Sequence, residues 1–203
     1  EMLRSLVGSE MCIRDRACVA AMLCGAFNGV LVSKFNIQPM IATLILFTAG
    51  RSIAAWINNN ELPVISEESF GIYGGFIPGI PIPTPVFIML VCVLLTALAL
   101  KYTNLGLYTQ AVGINASSSR LNGLNPAFIK FLAFVILGLC VAVVGLIKVS
   151  RLSSINYSVI AKDIEMDAIL AVALGGNSLS GGKFNMTASI LGCLLYTSDA
   201  ADD

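Results

Sequence analysis

The chain has 203 residues, 57% hydrophobic and 12% charged, with twelve basic residues against twelve acidic ones and a mean hydropathy of +0.86. Soluble domains carry roughly 45–50% apolar and 25% charged residues, so a bilayer is the expected solvent rather than water. Histidine is absent, which removes imidazole-based catalytic triads, and no G-x-S-x-G elbow occurs. The six cysteines (Cys12, Cys18, Cys24, Cys92, Cys140 and Cys193) lack metal-ligand spacing, so no zinc site, disulfide framework or cofactor is expected.

In chain order, the two ends differ from what lies between them. "LVGSEMCIRDR" (Leu6–Arg16) and "CLLYTSDAADD" (Cys193–Asp203) each resemble the translation of an adapter used in transposon-based DNA library preparation. Met11–Asp15 can be encoded ATG TGT ATA AGA GAC. The reverse complement of that adapter, in another frame, reads TGT CTC TTA TAC ACA, which encodes Cys193–Thr197. Residues 1–16 and 193–203 are therefore expected to be adapter-derived, leaving 17–192 as a partial transmembrane domain. Without Arg4, Arg14, Arg16, Glu1, Glu10, Asp15, Asp199, Asp202 and Asp203, nine basic residues face six acidic ones.

Ala17–Ser33 is a short apolar run that turns at Lys34 into a second helix opened by Pro39, since proline fits the first helical turn. Pro39–Ile57, Pro85–Leu100 and Phe128–Val149 are each near the ~20 apolar residues that cross a bilayer, so an all-α, polytopic bundle is expected. Between the second and third helices, Asn58–Pro85 carries Glu61, Glu67 and Glu68, no basic residue, and the turn-rich "GGFIPGIPIPTP". The next loop, Lys101–Pro126, carries Lys101 and Arg120 and no acid. Basic loops favour the cytoplasm, which places the Lys34 turn and 101–126 inside and 58–84 outside. Two spans separate these three loops, and the alternation agrees. Lys130 and Lys148 sit near the ends of the next span, where their stems can reach the interface, and Ser150–Asp167 falls outside.

Arg51 interrupts an apolar helix, where a central charge costs about 2.5–3.5 kcal/mol. It either lines a pathway or pairs with a carboxylate, or else it snorkels outward past Trp56. Asp163, Glu165 and Asp167 stand before Ala168, where acids stabilise a helix N-terminus; a shared cation is the other use of such spacing. The apolar run from there to Leu174 is only ~15 Å of helix, half of a ~30 Å core, and cannot span. "LGGNSLSGGKFN" (Leu174–Asn185) then breaks the helix before a new apolar run begins at Met186. Such backbone survives at membrane depth only where protein buries it or a wet cavity adjoins it.

Two uses of this stretch remain open. One is a packing loop; the other adds a polar surface for a polyhydroxylated ligand, with Asn177, Ser178 and Ser180 as partners among Gly175, Gly176, Gly181 and Gly182. "LSGGK" (Leu179–Lys183) is similar to the LSGGQ signature of ATP-binding cassette ATPases. A Walker A loop is excluded, because Asn177 stands where its first glycine belongs and Phe184 where Ser or Thr belongs.

Together, "GAFNGVLVSKFNIQPMIATL" (Gly25–Leu44) followed by Arg51, "GIPIPTP", "TNLGLYTQAVGINASSSRLNGLN" (Thr103–Asn125), "SRLSS" and "EMDAILAVALGGNSLSGGKFN" (Glu165–Asn185) resemble the permease subunit of ribose-type sugar importers of the ATP-binding cassette class. The resemblance covers about Ala17–Gly192. It implies a bacterial inner-membrane protein of about ten helices, without enzymatic activity of its own or a nucleic-acid partner. It would pair with a second permease copy, in lipid, and work with a cytoplasmic ATPase and a periplasmic sugar-binding protein. "INASSSRLNGLN" stands where such permeases carry an E-A-A…G segment that docks into the ATPase. Asn115, Arg120, Leu121, Gly123 and Asn125 fit that role, whereas Ser117, Ser118 and Ser119 replace Glu, Ala and Ala, and Leu107 stands where relatives often have arginine. A branched-chain amino acid or nucleoside permease, or an ion-coupled transporter with discontinuous helices, remain the alternatives.

Overall fold

The computed structural model describes residues 2–59, 61, 74–75, 83–152, 156, 164–178, 181–182 and 184–202, with backbone alone for 2–14 and 198–202. Glu67, Glu68, Lys162, Asp163, Leu179, Ser180, Lys183 and most of "GGFIPGIPIPTP" lie outside the described residues. The described residues form helices α1 (Met2–Lys34), α2 (Pro39–Ile57), α3 (Thr84–Tyr102), α4 (Leu105–Ile114), α5 (Ala116–Leu121), α6 (Pro126–Leu152), α7 (Ile164–Leu174) and α8 (Met186–Asp202), and no β-strand.

Among the described residues, four helical stretches are long and apolar enough to cross a bilayer: Asp15–Lys34, Pro39–Ile57, Thr84–Tyr102 and Pro126–Leu152. The all-α, multi-pass architecture expected from the apolar blocks is what the chain adopts. Helix α2 opens at Pro39 and closes at Ile57, as its proline and the asparagines that follow dictate. Its polar side chains are satisfied within the helix: the Thr43, Thr48 and Ser52 hydroxyls donate to the carbonyls of Pro39, Leu44 and Thr48. Helix α1 is longer than the apolar run, starting at Met2, because Met, Leu, Arg and Glu are good helix formers and no proline intervenes.

The chain divides into two compact units, Glu1–Cys92 with Lys130–Ile160, and Val93–Ile129 with Ala161–Asp203. In the first, α1 and α6 run antiparallel in backbone contact. A Cβ on Gly25 would stand 2.7 Å from the Phe134 carbonyl oxygen, one on Gly29 3.2 Å from that of Phe131, and one on Gly138 2.8 Å from that of Ala21. Ala21, Gly25 and Gly29 recur every fourth residue, the spacing that lets membrane helices approach closely where dispersion, not hydrophobic burial, drives packing. Asn28, on the same part of α1, is 6% exposed, and its Oδ1 has no hydrogen-bond partner among the described residues.

The antiparallel pairing puts the end of α1 beside the start of α6, on the side assigned to the Lys34 turn. At the other end, a Cβ on Gly74 would lie 2.8 Å from the Arg151 backbone nitrogen. The turn in the loop after α2 therefore touches the end of α6, the two segments that charge and alternation placed together outside.

Candidate functional site

In the second unit, α7 and α8 form a helical hairpin around the glycine stretch. Helix α7 has 11 residues, about 16 Å at 1.5 Å per residue, half a bilayer core. Its stop is a Schellman turn. The Asn177 N–H donates to the Val172 carbonyl at 3.4 Å and the Gly176 N–H to that of Ala173 at 2.9 Å. Gly176 carries φ +72°, which a side chain disfavours. Glu165 and Asp167 occupy the first turn, where they oppose the positive end of the helix dipole.

Helix α8 runs back along α7. Cβ atoms on Gly175 and Gly192 would each collide with backbone of the facing helix: Gly175 with Ala188 at 2.5 Å, and Gly192 with the Ala171 carbonyl and, at 2.6 Å, the Gly175 nitrogen. Ala171 and Gly175 on one arm thus face Gly192 and Ala188 on the other, each pair spaced by four, an antiparallel seam of small residues. At the open end, the Tyr196 hydroxyl donates to Asp167 Oδ1 at 2.7 Å.

The tip is closed by asparagines. Asn177 Nδ2 donates to Ser189 Oγ at 2.8 Å, and Asn177 Oδ1 accepts from the Asn185 N–H at 2.7 Å. Asn185 in turn caps α8, its Oδ1 accepting from the Thr187 N–H and hydroxyl at 3.2 and 2.6 Å. The Asn177 amide, for which the sequence left a ligand contact and a packing role both open, is thus engaged at both ends in holding the loop. It keeps one N–H and one lone pair. Ser178 is exposed, as are Gly176 and Gly181, while Gly175, Asn177 and Gly182 are half-buried. Ser180 lies outside the described residues.

Residues 115–125 read as a run of helix caps. The Asn115 side chain accepts from the Ser117 and Ser118 N–H groups at 3.0 and 3.1 Å and opens α5. A second Schellman turn closes α5: the Leu124 N–H donates to Ser119 and the Gly123 N–H to Arg120, both at 3.1 Å, with Gly123 at φ +80°. Asn125 then caps α6, its Oδ1 accepting from the Phe128 N–H at 3.4 Å. Ser119 is buried, its hydroxyl donating to the Asn115 carbonyl at 2.9 Å. What remains outward is Ser117, Ser118, Arg120 and Leu121, the last 90% exposed.

Arg51, in the first unit, stacks its guanidinium 4.2 Å from the centroid of Phe47, one turn earlier on α2, a cation–π contact that shields the charge within an apolar helix. It is not part of the hairpin's unit. Sequence reading singled out the glycines and asparagine of the tip but missed Ala171, Ala188, Gly192, Asn185, Ser189 and Gly113. The four-residue recurrence of Ala171–Gly175 and Ala188–Gly192 was the available signal.

The family described as branched-chain amino acid transport system / permease component matches residues 16–198. The galactofuranose transporter permease protein YtfT of Escherichia coli is 37% identical over 175 residues, 86% of this chain and 51% of that protein. The fructose import permease protein FruF of Bifidobacterium longum is 37% identical over 184 residues, 88% of this chain and 51% of that protein. The ribose import permease protein RbsC of E. coli is 36% identical over 199 residues, 94% of this chain and 61% of that protein. The chain thus spans about half to three-fifths of the length of these relatives. No solved structure matches it. With its apolar spans and nearly its whole length matched, the chain belongs to the branched-chain amino acid transport system / permease component family.

Proposed function

We propose that this chain is part of the permease subunit of an ATP-binding cassette importer that carries a monosaccharide across a bacterial inner membrane. The observation that carries the reading is that relatives 36–37% identical over 86–94% of the chain are named for galactofuranose, fructose and ribose. In this reading the permease does no covalent chemistry. A separate cytoplasmic ATPase hydrolyses ATP, a periplasmic binding protein delivers the sugar, and a second permease copy completes the passage. The hairpin tip, with Ser178 and the residual valences of Asn177, offers hydroxyl and amide partners to a hydroxyl-bearing solute, and Ser180 of the same sequence stretch is proposed as a further one.

Helix α5 is the segment that docks into the ATPase. Asn115, Gly123 and Asn125 shape it, Ser119 anchors it, and Ser117, Ser118, Arg120 and Leu121 face outward. Leu121, 90% exposed beside Arg120 at the end of α5, gives that outward face one apolar and one basic contact to offer a partner. Residues 17–192 are the natural part of the chain and 1–16 and 193–203 are adapter-derived; a longer DNA read across both junctions tests this.

The test of function is uptake of labelled ribose, galactose, fructose and leucine by the complete protein with its genomic neighbours. Uptake of a sugar that requires the ATPase supports the reading. Uptake of leucine alone moves it to an amino acid permease, and uptake that follows an ion gradient without ATP moves it to a secondary transporter.

A further inference from the structure

The hairpin tip does not end in open space. A Cβ on Gly113, in the last turn of α4, would stand 2.9 Å from the Gly182 backbone nitrogen, and one on Gly181 would stand 3.2 Å from the Gly113 carbonyl oxygen. A Cβ on Gly182 would meet Ile114 Cγ1 at 3.7 Å. This is a joint of bare backbone on bare backbone. Gly181 and Gly182 adopt φ +93° and +105°, conformations that other residues rarely take.

Two residues beyond Gly113, Asn115 serves both neighbouring helices at once. Its N–H donates to the Ala111 carbonyl at 3.1 Å, closing α4, while its side chain caps α5. With a single extended residue at φ −154° between them, a tilt of α5 pulls directly on the turn that carries Gly113. Packed backbone without intervening side chains has little slack, so a shift there moves the loop instead of being absorbed by rotamers.

We propose that Gly113, with Gly181 and Gly182, is the joint through which movement of α5 reaches the tip of the α7–α8 hairpin, coupling ATPase closure to opening of the sugar passage. This rests on the importer reading and on α5 as the docking segment. Gly113 is a positioning residue: it touches neither sugar nor nucleotide, and its work is to let two backbones meet.

The experiment uses the complete transporter in proteoliposomes with its ATPase and binding protein, measuring sugars carried per ATP hydrolysed for wild type, Gly113→Ala and Gly50→Ala. A Cβ on Gly50 meets nothing within 4 Å among the described residues, so that variant controls for adding a methyl group to a helix. A second test variant, Ile114→Ala, trims the side chain that borders Gly182, at a position 65% exposed where little packing is lost. Gly113→Ala and Ile114→Ala should each assemble and hydrolyse ATP, with Gly113→Ala carrying about tenfold fewer sugars per ATP and Ile114→Ala showing a smaller drop. An unchanged ratio in both variants overturns the joint, as does hydrolysis and transport falling together in both. Wild-type uptake reports separately on the importer reading, because the joint is judged only by the ratio of variant to wild type.

Discussion

Replacing Gly175 by alanine isolates the seam that holds the hairpin together. The new methyl group would stand 2.5 Å from the Ala188 carbonyl oxygen, 2.8 Å from its carbon and 3.0 Å from Ser189 Cα. All three are backbone atoms of the facing helix, so no side-chain rotation relieves the clash. A carbon and a carbonyl oxygen rest at about 3.3 Å or more, so the arms must part by roughly 0.8 Å at this level. Overpacking of this kind costs about 1–3 kcal/mol, while alanine recovers at most ~1 kcal/mol of helix propensity, less at a helix end. The net loss is about 1 kcal/mol. Gly145→Ala is the comparison, since a Cβ there meets nothing within 4 Å among the described residues and only the propensity gain of up to ~1 kcal/mol remains. Thermal unfolding of both variants in the same bilayer discs should separate them by about 4–8 °C for a chain of this size. Gly175→Ala melting at or above Gly145→Ala would refute the close antiparallel packing of α7 on α8.

Asn177→Ala removes both loop-closing bonds and should cost about 1–3 kcal/mol, raising amide exchange at Asn185 and Ser189 and leaving α6 untouched. Asn115→Ala should fray α5, at a cost near 1 kcal/mol, visible as faster exchange across residues 116–121. Leu121→Asp, at a 90% exposed position, should leave stability unchanged within about 0.5 kcal/mol and yet release the ATPase on co-purification. Retention of the ATPase would remove α5 as its docking segment. Asn28→Leu takes away a buried acceptor without a partner among the described residues and should be neutral or stabilising in the same melts; a clear loss of stability would show that the amide is satisfied in the assembled transporter.

The spans were legible because each is a proline-opened or apolar block of bilayer length. Pro39–Ile57 is a helix with those ends, and the run before Leu174 stops where glycine permits a left-handed turn. Short-range capping was half visible. The asparagines and glycine of residues 115–125 were singled out for a docking motif, and the structure gives Asn115, Gly123 and Asn125 local work as caps. Contacts between distant residues were not legible. Asn177 bonds partners eight and twelve residues away, a pairing that exists only after the chain has reversed at Gly176. The return of α8 along α7 was hidden for another reason: its small residues, Ala188 and Gly192, close the retained stretch 17–192, just before the tail that adapter resemblance had set aside. Gly113 carries no side chain to attract notice, and its role emerges only when the glycine loop lies against it.

The most direct test of the central claim is the chemical accessibility of Ser178→Cys in the complete transporter, read with a membrane-impermeant maleimide. A hairpin tip that lines a gated passage predicts labelling that changes with nucleotide state and slows when the transported sugar is present. Labelling at one fast rate in every state, indifferent to sugar and ATP, would place the glycine loop in open water and contradict the account.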